Sequence, residues 1–215
     1  MVCGFLGPGL PPRRGAATAR APGRHRGCAR QGSGAWPWGL SNWPYLPADV
    51  SYVGIDPDRY MIARARRHAK ELGREVELHQ VAAEKLPFPD HSFETVFTTL
   101  TFCTIEDVPQ ALAEVRRVLK PGGEFRFWEH VRPRGRDGGR AFDLITPIWR
   151  RVGAGCYPNR DTAAAIARAG FDVGELERER MGPLPTIRGV AVPRAGSVAP
   201  SAPTLWSGDM GRAPT

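Results

Sequence analysis

Asp56 follows the short apolar run Tyr52-Val53-Gly54-Ile55 directly, a placement from which a carboxylate can do ligand chemistry. At the carboxyl end of a strand its two oxygens could accept both hydroxyls of a ribose, a charge-assisted pair. It could equally be a turn residue before Pro57, or a cap for the helical stretch starting near Asp58. Glu129 and His130 close another apolar run, Phe125-Arg126-Phe127-Trp128. Their types suit proton removal or the positioning of a reacting group, and equally suit hydrogen bonds to neighbouring loops. The cysteines (Cys3, Cys28, Cys103, Cys156) form no CxxC pair. No zinc spacing or disulfide framework can be read from them, and no metal site is expected. Cys103 and Cys156 have no evident activating partner and read as structural.

These residues need strands and helices to hold them, and the middle of the chain alternates the two patterns. Ser51–Ile55 is a β-branched strand run. From Asp58 to Leu72 the spacing predicts a helix with Met61, Ala65, His68 and Leu72 on its inner stripe. Val76–Val81 and Glu94–Leu100 read as strands, the second apolar enough to be covered on both faces. Asp107–Leu119 is a strongly amphipathic helix stopped by Lys120-Pro121-Gly122-Gly123. Glu124–Val131 is the next strand. Ala141–Val152 predicts a helix with Phe142, Ile145, Ile148, Trp149 and Val152 inward, and Asp161 caps a short helix ending at Gly170. Phe171–Arg180 reads as a strand, and Gly189–Val192 as the remnant of another. Repeated strand–helix–strand units imply an α/β, Rossmann-like, doubly wound and mostly parallel sheet.

The two ends differ in composition. Residues 1–41 contain six arginines and no acid, and so supply most of the net charge of +8. Rich in Gly, Ala, Arg and Pro without apolar periodicity, they predict a disordered basic segment. Residues 42–192 form the expected domain, and 193–215 a second disordered tail. The folded part is then nearly neutral, which argues against a nucleic-acid partner. No apolar run approaches the roughly 18 residues of a membrane span, and the start lacks the order of a secretory signal. With no disulfide framework, the expected compartment is the cytoplasm.

The segment VAAEKLPFPDHSFETVFTTL, followed by PQALAEVRRVLKPGGEFRFWEHV, resembles the type-11 family of class I S-adenosylmethionine-dependent methyltransferases. The likeness extends upstream through YVGIDPDRYMIARARRHA and downstream through WRRVGAGCYPNRDTAAAIARAGF. It implies methyl transfer from S-adenosylmethionine to a small-molecule or lipid-like acceptor, and EHV…GC…NRDT suggests the small-molecule, lipid or thiol branch. It also implies site residues. Asp56, with Pro57, would hold the ribose. Ala82, Ala83 and Glu84 would lie along the adenine, and Thr98, Thr99 and Leu100 would face the methionine part. Glu129 and His130 would be the residues for proton removal or acceptor positioning.

Two departures accompany the match. Ala82 stands where the family usually has an Asp. The glycine-rich loop ending the family's first strand falls, by register, on Trp36, Trp38 and Leu40, so that strand is expected to be incomplete. In the family it is central, between the strands here at Ser51–Ile55 and Thr95–Leu100. Its loss predicts a gap with unpaired backbone groups. One rival is therefore a non-catalytic or truncated homologue. A nicotinamide-dependent Rossmann enzyme would need G-x-G-x-x-G before Asp56, and that is absent.

Overall fold

The computed structural model describes the backbone of residues 3–7, together with residues 51–153 and 155–194. In chain order the elements are β1 (Cys3–Gly7), β2 (Ser51–Ile55), α1 (Arg59–Glu71), β3 (Val76–His79), β4 (Phe93–Thr99) and α2 (Val108–Val118). Then come β5 (Leu119–His130), α3 (Arg136–Val152), α4 (Thr162–Arg168), β6 (Phe171–Val173), β7 (Glu177–Met181) and β8 (Leu184–Pro193). The strands make one sheet in the order β3-β2-β1-β4-β5-β8-β6, with β7 also paired to β8.

The β2–β3 and β4–β5 ladders are parallel, while β1 and β8 run against all their neighbours. β1 lies in the slot where the sequence predicted a gap. Cys3 pairs with Ile55 and Gly7 with Ser51 on one side, and Gly4–Leu6 pair with Phe97–Thr95 on the other. A strand of opposite direction satisfies the facing N–H and C=O groups of β2 and β4 as a parallel one would. The expectation of disorder across residues 1–41 therefore fails for Cys3–Gly7, and Trp36, Trp38 and Leu40 lie outside the described residues.

The main core lies where α2 and α4 meet β4, β5, β6 and β8. It holds Val96, Leu112, Val115, Phe125, Phe127, Ile166, Phe171 and Ile187. Phe125 stands edge-on to Phe102, with ring centroids 5.9 Å apart, and tilts against Phe171 at 5.7 Å. Full burial of such a ring contributes roughly 1.5–3 kcal/mol. Helices α1, α2 and α4 start at side-chain caps: Asp58 accepts the Tyr60 N–H, Asp107 that of Gln110, and Asp161 that of Ala164. At the β5 start the ladder jumps from Phe93↔Leu119 to Thr95↔Glu124, so the Lys120–Gly123 turn bulges outward. Glycine is required at 123, because a Cβ there would come within 2.8 Å of the Glu94 carbonyl oxygen.

Several sequence expectations shift. Helix α1 buries Ile62, Ala65 and Ala69, the two alanines against Val76 and Leu78, rather than the stripe through Met61, His68 and Leu72. Helix α3 begins at Arg136, five residues before the sequence pattern, and its apolar residues Ile145, Ile148 and Val152 are exposed rather than inward. The predicted strand 171–180 is two strands, β6 and β7. The remnant at 189–192 is the end of a ten-residue strand, β8, which pairs with three others and reaches one residue past the expected domain boundary.

Candidate functional site

The carboxyl ends of β2, β4 and β5 share one edge of the sheet, since those strands run the same way. In open sheets of this kind that edge is where ligands sit. Asp56, at the end of β2, is buried at 2% exposure, and its Oδ1 accepts the Asp58 N–H at 2.8 Å. The turn role and the strand-end position are thus both realised in one residue. Pro57 follows, and its carbonyl accepts from Gln80 Nε2 at 3.3 Å.

Beyond β4 the chain is held tightly. Leu100 has φ 54, a left-handed conformation uncommon for a residue with a branched side chain, and its N–H reaches the Trp128 carbonyl at 2.7 Å. Thr101 and Phe102 then point their N–H groups at Glu129, at 3.1 and 3.0 Å. Glu129 is fully buried on β5. Burial pushes its carboxyl up to about 8, opposed by those two N–H groups and the Thr98 hydroxyl. With both oxygens engaged by backbone, Glu129 organises the β4 loop, and the loop-binding reading has the geometry on its side.

His130 is also buried, and the Thr162 hydroxyl donates to its carbonyl at 3.2 Å. The sequence treated Cys103 and Cys156 as separate structural residues, and the fold corrects this. Cys156 Sγ lies 3.6 Å from His130 Nδ1, and Cys103 faces the same pair. The Cys103 thiol and His130 together hold the Cys156 thiol well below its ordinary range, whereas Cys103 is raised by its contact with Cys156 and by burial. Separations of 26 and 27 positions carry no local motif, so spacing could not reveal this cluster.

The predicted site residues therefore fall into groups. Thr98, Thr99 and Leu100 are joined to Glu129 and His130 around the ends of β4 and β5. Asp56 and Pro57 lie at the end of β2, two strand positions away across β1, or about 10 Å at ordinary strand spacing. Ala82 is exposed, whereas Ala83 packs at the edge of the main core. Glu84 is tied to the start of α2: its carboxylate accepts the Asp107 N–H and its carbonyl the Gln110 amide.

Residues 39–127 match the methyltransferase domain family, a stretch ending inside β5. This part of the chain is similar to that family. The chain is 30% identical over 141 residues to the thiol S-methyltransferase TMT1B of Rattus norvegicus, covering 64% of this chain and 58% of that protein. The chain thus spans less than two thirds of the length of that relative. A phosphatidylethanolamine N-methyltransferase of Cereibacter sphaeroides is 35% identical over 89 residues, 40% of this chain and 44% of the other. Among solved structures, the YcgJ protein of Bacillus subtilis superposes with a TM-score of 0.58 at 20% identity, over 73% of this chain and 87% of that one. That likeness establishes the class I α/β fold.

S-adenosylmethionine is the cofactor the family implies, and the residues present fit it in part. A buried carboxylate ends β2 and a tightly held loop ends β4, on the same edge. The strand between them is different. Because β1 is antiparallel, its Cys3 end lies beside Ile55 at this edge and the chain leaves β1 from Gly7 beside Ser51. The Gly7 end of β1 thus lies at the opposite edge from Asp56.

Proposed function

We propose that the chain acts as an S-adenosylmethionine-dependent methyltransferase domain with a small acceptor of thiol or lipid-like type. The observation carrying this reading is the alignment, at one edge of the sheet, of buried Asp56 with the loop that Glu129 fixes beyond β4. The relatives bearing on the acceptor are the thiol S-methyltransferase and the phosphatidylethanolamine N-methyltransferase. S-adenosylmethionine supplies an electrophilic methyl group on sulfur, so a protein's part is mainly orientation and exclusion of water. In this reading Asp56 and Pro57 hold the ribose, Ala82, Ala83 and Glu84 border the adenine, and Thr98, Thr99 and Leu100 border the methionine part. Glu129 acts by keeping Thr101 and Phe102 in place.

One observation favours a second reading, a relative without useful cofactor binding: β1 enters the central slot in reverse, so that its carboxyl end lies at the edge opposite Asp56. Calorimetric titration of the full chain with S-adenosylmethionine, beside Asp56→Ala, separates the two. Saturable binding weakened by the substitution supports the first, and absence of binding supports the second.

A further inference from the structure

Cys103, His130 and Cys156 come from three separate segments: the loop after β4, the last residue of β5 and the loop after α3. Their ligand atoms all lie within 4.8 Å of one another, and all three residues are buried. We propose that they form a binding site for a thiophilic divalent ion of the zinc type.

The geometry suits that ion. Zinc bonds of about 2.3 Å to sulfur and about 2.0–2.1 Å to nitrogen, at a tetrahedral angle, place S and N about 3.5 Å apart. Cys156 Sγ and His130 Nδ1 are 3.6 Å apart. Two thiolates and a neutral imidazole cancel the charge of a divalent ion, so the filled site is neutral in a buried place beside the Glu129 carboxyl. Two soft sulfurs and an imidazole select zinc over calcium or magnesium, which take hard oxygen ligands.

The surroundings hold the ligands as an outer shell would. The Tyr157 N–H donates to the Cys103 carbonyl at 2.6 Å, which fastens the Cys156 loop to the β4 loop. Arg160 donates to the carbonyls of Phe102 and Ile105, and Thr162 to that of His130. Two ligand-bearing loops are thus clamped onto the end of β5 independently of any ion. A reversible Cys103–Cys156 disulfide is the competing use of the two sulfurs, and it would not engage the His130 imidazole. Three protein ligands leave the fourth tetrahedral position to a water or another exogenous donor.

The test uses the full chain, purified reduced, stripped with chelator and titrated with Co2+ and then Zn2+. The expected result is one equivalent of Co2+ per chain with a thiolate-to-cobalt charge-transfer band and tetrahedral d–d absorption, both displaced by Zn2+. Cys103→Ser and Cys156→Ser should each abolish the band, while the double substitution Cys3→Ser with Cys28→Ser should keep it. X-ray absorption of the zinc-loaded wild-type chain, which needs no variant to fold, should show two sulfur neighbours and one imidazole. Failure of the reduced wild-type chain to take up one equivalent would overturn the proposal. So would binding that persists in both Cys103→Ser and Cys156→Ser.

Discussion

The carboxylate of Glu129 accepts the backbone N–H of Thr101, 28 positions earlier in the chain, and so ties the end of β5 to the loop leaving β4. Its other oxygen takes the Phe102 N–H. Replacement by Gln keeps one acceptor but turns an amide donor toward a backbone donor. Glu129→Gln should cost about 1–3 kcal/mol, the price of one buried N–H left unsatisfied. The denaturant midpoint measures this, and an unchanged midpoint would mean that the loop does not depend on the carboxylate.

A second prediction concerns Glu114 on α2, whose side chain binds Arg117 and accepts the Leu86 N–H at 2.7 Å. Burial opposes its ionisation, but Arg117 and the Leu86 N–H outweigh burial and hold the carboxyl below the ordinary range. A depressed folded pKa gives stability that is fully present above the unfolded value and is lost as pH falls through the folded one. Allowing for solvent screening, Glu114→Gln should cost about 1–2 kcal/mol at neutral pH. The gap to wild type should hold down to about pH 5 and close at lower pH. Urea melts across that range read it, and a gap independent of pH would refute the ionic origin.

The position of β1 makes a third. Phe5 pairs with Val53 on one side and Val96 on the other. Proline cannot donate in a ladder and is excluded from central strands. Phe5→Pro should therefore destabilise the chain by roughly 2–4 kcal/mol and promote association through the opened edges of β2 and β4. A thermal melt with light scattering checks this. A variant as stable and monodisperse as wild type would remove β1 from the sheet.

Much of this architecture was legible in the sequence, for identifiable reasons. β2, β4 and α2 carry β-branched runs or a full apolar stripe, and their bounds fell within a residue or two. Helix α1 was found, but its buried face was misjudged. Its inner positions are small alanines, so the stripe is set by contact with Val76 and Leu78 rather than by the helix's own pattern. β8 looked like a remnant because Gly189 and Arg188 dilute its apolar run. Gly189 is there because a Cβ would meet Leu176 at 2.9 Å and Phe127 at 3.1 Å. The site divided the same way. Asp56 and Thr98–Leu100 sit in a recognisable local pattern. The left-handed Leu100, the Glu129 clamp and the Cys103–His130–Cys156 cluster arise from contacts between distant segments. Nothing in Cys-Gly-Phe-Leu-Gly announces a central strand, still less a reversed one.

The most direct measurement is calorimetric titration of the full chain with S-adenosylmethionine. The account predicts saturable one-site binding, weakened about 10- to 100-fold in Asp56→Ala by loss of charge-assisted hydrogen bonds to the ribose. No heat of binding to the folded wild-type chain, or equal affinity in Asp56→Ala, would contradict it.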